Sequence, residues 1–191
     1  MSEEKVISVN PLAREFYDRH ADEVAVGLLG KSLVREKKEK ILVGRIVETE
    51  AYLGPHDLAC HSSKKSTKRA EVMFGPPGFA YVYMVYGMHN LLNAVTGPGE
   101  NPSAVLLRAI EPLKNIDDKT CGPALLCRAM HIDRSFNGHD LTCPSLYIAE
   151  SAGAKQFEIE KKPRIGVDYA GAWAGEHLRF YIRDSRYVSR R

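Results

Sequence analysis

The sequence predicts an α+β protein with a single domain, in which a mostly antiparallel, curved β-sheet is flanked by α-helices. Two observations predict this class: strand-like segments follow one another through short turns, and helical segments come before and among them. The length of 191 residues and the apolar content of 44% suit one well-buried core and are short for two domains. We therefore expect one domain across residues 1–191.

Three segments have the features of helices: 11–17, 22–29 and 122–130. Proline is favoured in the first turn of a helix, where Pro11 and Pro123 stand. Gly30 directly follows the second segment and supplies a stop signal. The third segment is expected to be the long helix of the fold.

The strand-like segments are 32–36, 41–51, 79–86, 91–96, 104–110, 145–149, 156–160, 164–167 and 178–183. A charged turn at 37–40 joins the first two, and Gly87 marks a tight turn between the third and the fourth. Connections this short join antiparallel neighbours, because a parallel pair needs a long crossover. Hairpins of this kind are the basis of the α+β prediction.

Two carboxylates stand close together in the second strand-like segment. Side chains alternate between the faces of a strand, so Glu48, Glu50 and Tyr52 share one face. Glutamate is a poor residue for a strand interior, and the pair indicates either an edge strand with a solvated face or a functional site. The stop at Gly54-Pro55 favours a site, because strand ends beside loops commonly host one.

Three of the nine tyrosines gather beside the turn at Gly87. Core packing is a good explanation of Tyr81 and Tyr83. Tyr86 is different, because a large ring at a hairpin tip is hard to bury within its own domain. An apolar side chain at such a tip is what a protein inserts between bases when it opens a duplex. A carboxylate among aromatic rings suits a site that holds a flat ring and moves a proton.

Two polar residues interrupt apolar strand-like segments. Asn93 lies within 91–96, and Arg108 lies within 104–110. A polar group in such a strand needs a partner. Either side chain could bond to backbone or face a ligand.

Charge and composition limit the classes of binding partner that we expect. The formal net charge of +3 permits a polyanionic partner without demanding one. Four basic residues crowd one polar loop directly after the first motif: Lys64, Lys65, Lys68 and Arg69. No apolar run reaches the length of a membrane span, so no membrane partner is expected. The first residues lack the profile of a secretory signal, which predicts an intracellular protein, in the cytoplasm or nucleoid of a prokaryote or the nucleus of a eukaryote.

Metal binding is not favoured by the cysteine pattern. None of the four cysteines has the C-x-x-C spacing of a zinc or redox site, so we expect small buried side chains. His56, Cys60 and His61 could be imagined as ligands of a metal-dependent hydrolase, but no second cluster completes the set. We expect no metal and no cofactor.

Several long motifs, in matching order, resemble the alkyladenine (3-methyladenine) DNA glycosylase family. The motifs are 45–55, 61–62, 81–83, 86–88, 106–109, 111–113, 122–123 and 166–171, within a matching region of about 11–188. The resemblance implies a catalytic glycosylase domain without the N-terminal extension of some relatives.

The resemblance also implies roles for residues at the reacting centre. Glu50 matches the general base that activates the attacking water, and Arg108 matches a site residue near the water and the phosphate. Tyr86 matches the residue that fills the gap in the duplex. His89 stands where many relatives carry an aromatic residue.

Four further residues match the pocket that receives the extruded base. Tyr52 and Tyr83 match the aromatic residues on its two faces. His61 matches a residue that bonds to the base or sugar. Asn93 matches the residue that crowds the exocyclic amine of guanine.

The implied activity is that of a monofunctional DNA glycosylase. Such an enzyme flips alkylated or deaminated purines out of duplex DNA and hydrolyses the N-glycosidic bond, which initiates base excision repair. No lysine lies in the two main motifs, so no lyase step is expected. The expected partner is double-stranded DNA containing damaged bases, bound by a monomer. A non-catalytic nucleic-acid-binding module, using the aromatic residues and the basic loop, is the alternative.

Overall fold

Antiparallel strands dominate the computed structural model, which describes residues 10–64, 68, 70–97, 101–151 and 156–191. The α-helices of these residues are α1 (Arg14–Tyr17), α2 (Ala21–Leu28) and α3 (Pro123–Ala129). The strands are β1 (Ser32–Lys37), β2 (Lys40–Tyr52), β3 (Ala80–Val85), β4 (His89–Thr96), β5 (Ser103–Lys114), β6 (Leu146–Ala149), β7 (Ile159–Lys162) and β8 (Arg179–Ile182). Short 3₁₀ helices cover His61–Ser63, Glu71–Phe74, Arg134–Phe136 and Asp168–Gly175.

All strands belong to one curled sheet in the form of a half-barrel, which confirms the predicted α+β class. The main path runs β3-β4-β5-β2-β1-β6, and β8 pairs with both β2 and β7. Strand β2 therefore has β5 along one side, with β1 and β8 along the other. The strand with the two carboxylates is central, which excludes a solvated edge.

The register between β2 and β5 shifts at three places, between Val43 and Gly44 and on either side of Glu48. Shifts of this kind re-aim side chains and increase the local twist. At the first of them the side chain of Ile110 lies over Gly44, and a Cβ atom on Gly44 would lie 2.4 Å from its Cδ1. Glycine is the residue that leaves room for this side chain.

The main core lies between the concave sheet and the helices. One face of α2 is buried, at Ala21, Val24, Ala25 and Leu28, with the spacing of an amphipathic helix. The hydroxyl of Thr49 donates to the carbonyl of Ala25 at 2.9 Å and fixes α2 to β2. Helix α2 therefore packs against the carboxyl-terminal half of β2, which contains Glu48 and Glu50.

Most predicted elements are confirmed, with two corrections. The segment 164–167 is not a strand, because Gly166 has a φ of 78°, which leaves the extended region. Helix α3 spans 7 residues and is shorter than the 8 residues of α2, so it is not the long helix of the described chain. Among the described residues, no helix is long and apolar enough to cross a membrane.

Candidate active site

A cavity of about 320 Å³ opens at the carboxyl end of β2, beside the hairpin of β3 and β4. Six predicted site residues line it: Tyr52, His61, Tyr83, Tyr86, Asn93 and Arg108. The volume is near the lower end of the range typical of small-ligand sites. Residues spaced widely in the sequence are thus brought to one concave surface.

Glu50 lies directly behind the wall of this cavity, with its side chain fully buried. Its Oε2 accepts hydrogen bonds from the Tyr52 hydroxyl at 3.0 Å and from Nη1 of Arg108 at 3.2 Å. Its Oε1 accepts a bond from the backbone N–H of Ile165 at 2.8 Å. All three donors belong to residues that line the cavity. The carboxylate is therefore held in one orientation at the aromatic wall.

The protonation state of Glu50 is set mainly by its burial. Burial raises the pKa of Glu50 above that of an ordinary glutamate, although Arg108 and two hydrogen bonds act to lower it. A carboxylate with a raised pKa is a better proton acceptor near neutral pH. Burial also raises the pKa of Tyr52, so its hydroxyl keeps the proton that it donates to Glu50.

Glu48 is buried as well, but its hydrogen bonds come from a different part of the chain. It accepts hydrogen bonds from Nη1 of Arg179 at 2.8 Å and from the backbone N–H of Ser189 at 2.7 Å. These contacts fix the last residues of the chain against β2. Both carboxylates are fully buried, so the interpretation of a solvated strand face is wrong.

Arg108 links the two carboxylates. It is 7% exposed, and its Nε lies 3.7 Å from Oε1 of Glu48 while Nη1 bonds to Glu50. The polar interruption of β5 therefore has side-chain partners, rather than the backbone partner that was one alternative. Arg108 and Arg179 together balance the charges of the two buried carboxylates.

The facing wall is built from aromatic rings. The ring centroids of Tyr81 and Tyr83 are 5.1 Å apart, and the His61 ring meets Tyr83 edge-on at 4.7 Å. Nδ1 of His61 lies 2.9 Å from the hydroxyl of Tyr81. Tyr81 is buried, which confirms core packing for that residue, whereas Tyr52 and Tyr83 are partly exposed. The rings of Tyr52 and Tyr83 therefore have surface available to a flat ligand.

The side chain of Asn93 bonds to the backbone and also lines the cavity. Its Nδ2 donates to the carbonyl of Tyr81 at 3.0 Å across the β3–β4 pair. The side chain is nearly buried and still lines the cavity. The amide is thus fixed at the floor of the pocket.

Tyr86 stands at the tip of the β3–β4 hairpin, with 90% of its surface exposed. Tyr86 and Gly87 both have positive φ, of 50° and 69°, as the tightest hairpin turns require. Met88 is also 70% exposed. The turn therefore presents an apolar tip beside the cavity, as expected for a ring that its own domain cannot bury.

The basic loop is described only in part. Lys65 and Arg69 lie outside the described residues. Lys64 and Lys68 are exposed, and Nζ of Lys64 lies 5.5 Å from the ring centroid of Tyr169, which lines the cavity. This places one predicted basic residue at the cavity rim.

The imagined metal ligands do not come together. The His56 ring packs against Trp173 at 5.5 Å, and Sγ of Cys60 lies 3.1 Å from the hydroxyl of Ser62. Across residues 10–64, 68, 70–97, 101–151 and 156–191, no group of three His, Cys, Asp or Glu side chains could hold a metal ion.

Sequence reasoning missed Asp57, Arg164, Ile165 and Tyr169. Asp57 and Arg164 form a buried ion pair, and Ile165 supplies its N–H to Glu50. The interpretation of 164–167 as a strand concealed this segment. The available signal was Pro163 and Gly166, which flank Arg164 and Ile165 and are typical of a turn rather than a strand.

Comparisons with known proteins show the family of the chain. Residues 15–186 match the methylpurine-DNA glycosylase (MPG) family. A relative from Legionella pneumophila (strain Corby) is 56% identical over 179 residues, which are 94% of this chain and 98% of the relative. A relative from Myxococcus xanthus (strain DK1622) is 48% identical over 184 residues, and one from Clostridium novyi (strain NT) is 43% identical over 201 residues. The alignment with Myxococcus covers 95% of each chain, and that with Clostridium covers 94% of this chain and 98% of the relative. All three bear the name "Putative 3-methyladenine DNA glycosylase".

These matches define the class of the protein: it is a DNA glycosylase, a hydrolase of DNA repair. The chain belongs to the methylpurine-DNA glycosylase family. The predicted family is thereby confirmed.

Proposed function

We propose that this glycosylase flips alkylated or deaminated purines out of duplex DNA and cleaves the N-glycosidic bond with a water that Glu50 activates. The observation that carries the proposal is the buried Glu50 carboxylate, bonded to Tyr52 and Arg108 at the wall of an aromatic cavity. The product is an abasic site, which begins base excision repair.

Base extrusion comes first, because the glycosidic bond is otherwise enclosed by the base stack. Flipping costs a few kcal/mol, and less for a damaged or mismatched base. The exposed ring of Tyr86 fills the gap that the base leaves. Stacking returns roughly 1–3 kcal/mol per base, so Tyr52 and Tyr83 offset much of this cost.

Inside the cavity, the polar side chains position the base. His61 bonds to the base or the sugar, and its ring is oriented by the contact with Tyr81. Asn93 crowds the exocyclic amine of guanine, because its amide is fixed by the bond to the Tyr81 carbonyl. An undamaged guanine therefore enters poorly.

Cleavage follows the general course of glycoside hydrolysis. The bond between C1′ and the base nitrogen breaks, its electron pair leaves with the base, and the sugar resembles an oxocarbenium ion. Water bonds to C1′ and gives its proton to Glu50. Arg108 keeps Glu50 ionised before the reaction and stabilises the anionic phosphate nearby.

The charge of the base decides how much help the leaving group needs. An alkylated purine that carries a positive charge leaves as a neutral base. Its electron-poor ring also stacks well on tyrosine, a cation–π interaction. A neutral purine such as hypoxanthine needs a proton or hydrogen bond to leave, so we expect it to be released more slowly.

The direct test is an alkali-cleavage assay on duplexes that each carry one damaged purine, with and without a chelator. We expect cleavage at the damaged position, unchanged by the chelator, and no covalent adduct on borohydride reduction. Salt-dependent binding without abasic product would instead identify a non-catalytic module and refute the proposal.

A further inference from the structure

A second ion pair lies behind the cavity wall, and the proposed mechanism does not use it. Asp57 and Arg164 both have side chains with no exposed surface. Nη1 of Arg164 lies 2.5 Å from Oδ2 of Asp57, and Nη2 lies 2.9 Å from Oδ1. This two-point geometry is the strongest form of arginine–carboxylate pairing.

The guanidinium of Arg164 lies over the ring of Tyr52. The distance from its Cζ to the ring centroid is 4.9 Å. The guanidinium has no exposed surface, and Arg164 is not among the residues that line the cavity, so we infer that it lies on the side of the ring that faces away from the cavity. The ring of Tyr52 therefore separates a buried cation from the base pocket.

Each member of the pair is also held by other groups. Arg164 donates to the carbonyls of Ala51 at 2.9 Å and Trp173 at 3.2 Å. Asp57 accepts from the backbone N–H groups of Leu53 at 3.1 Å and Ala59 at 3.0 Å. Removing one charge therefore leaves the other side chain with partners that hold it in place.

The arrangement matters for a cationic base. A purine that stacks on the open face of Tyr52 lies at a contact distance of about 3.5 Å from the ring. An uncompensated guanidinium on the opposite face would then repel a cationic purine through the ring, at about 8 Å. Asp57 cancels that charge, and the ring remains attractive to a cation.

We propose that Asp57 determines specificity: by neutralising Arg164 behind Tyr52, it permits a cationic alkylated purine to stack in the cavity. This inference rests on the proposed function, since it assumes that the base stacks on Tyr52. Asp57 acts through Arg164 and Tyr52 and touches no reacting atom, so it is not a catalytic residue.

The test compares two substrates in each variant, so that any general loss of activity cancels. The value measured is the ratio of kcat/KM for 3-methyladenine, which is cationic while bonded to the sugar, to that for hypoxanthine, which is neutral, in matched duplexes. Asp57→Asn should lower this ratio about tenfold, because the repulsion of Arg164 is no longer cancelled. Arg164→Gln should raise it, because the charge of Asp57 remains.

The double variant Asp57→Asn/Arg164→Gln should return the ratio toward the wild-type value. Loss of one partner of a buried pair destabilises a fold, so circular dichroism checks each variant, and either single variant that folds decides the question. Shifts in opposite directions support the inference, because a merely structural role would slow both substrates alike.

An unchanged ratio in a folded single variant, or shifts in the same direction, would overturn the inference. If the wild type still releases both bases while Glu50→Gln releases neither, the proposed function stands despite that result. A wild-type protein that releases neither base would overturn both.

Discussion

Tyr52→Phe removes the hydroxyl that donates to Oε2 of Glu50 at 3.0 Å and keeps the ring that lines the cavity. The variant separates two roles of one side chain, stacking and hydrogen bonding. The bond favours the ionised carboxylate, so its loss should raise the already raised pKa of Glu50 further.

The size of the effect follows from the bond. A hydrogen bond to a charged group contributes about 1.5–3 kcal/mol, and one pH unit of pKa corresponds to about 1.4 kcal/mol. The general base must be ionised, so activity is lost as pH falls through the pKa of Glu50, and loss of the hydrogen bond should move the acid limb of the rate profile to higher pH. At a pH on that limb, base release by the variant should be about 10- to 100-fold slower than by the wild type, with little change on the alkaline plateau.

The assay is single-turnover base release from a duplex with one 1,N6-ethenoadenine, followed across pH. Tyr169→Phe is the matched control, because it removes a hydroxyl at the same cavity that donates to the carbonyl of Ala59. Its profile should match that of the wild type. If Tyr52→Phe leaves the acid limb in place, the hydrogen bond does not tune a general base and the reasoning fails.

Three further predictions concern the exposed ring of Tyr86, the buried cation of Arg108 and the packing of Ile110 over Gly44. Tyr86→Ser should weaken duplex binding about tenfold and slow base excision. If the variant binds a fluorescently labelled duplex as tightly as the wild type does, measured by anisotropy, Tyr86 does not fill the gap in the duplex. Arg108→Gln should move the acid limb of the base-release profile to higher pH, because Arg108 lowers the pKa of Glu50. It should also lower the free energy of unfolding by about 3–5 kcal/mol, because it removes the cation that pairs with the buried Glu50. Gly44→Ala should lower the free energy of unfolding, measured by urea denaturation, by about 1–3 kcal/mol, because its Cβ would overlap the Ile110 side chain. An unchanged stability would contradict this close packing.

Local patterns were sufficient for much of the fold. The turn at Gly87 predicted the hairpin that carries Tyr86, and alternation predicted that Glu50 and Tyr52 point to the same region. Both features depend on neighbours in sequence, where backbone geometry limits the choices. The Tyr52 hydroxyl lies 3.0 Å from Oε2 of Glu50, which confirms that the two side chains share one face.

Contacts between residues that are far apart in the sequence could not be predicted from local patterns. Strand periodicity does not fix register, so the alternation pattern did not show that Arg108 would reach Glu50 across the shifted β2–β5 pair. Only the family resemblance implied that both residues lie near the attacking water. Arg164 reaches Asp57 from 107 residues away, in a segment interpreted as a strand. The irregular backbone around Gly166 brings the N–H of Ile165 to Glu50, and a strand would not.

Glu50→Gln tests the central claim most directly, because it keeps the shape of the side chain and removes the proton acceptor. Binding to a duplex with one 1,N6-ethenoadenine and release of the base are measured on the same protein, with Glu111→Gln, a partly exposed carboxylate paired with Arg45, as the control. We predict retained binding with base release slowed at least about 100-fold, and a control that behaves as the wild type. Release at the wild-type rate by Glu50→Gln would contradict the account.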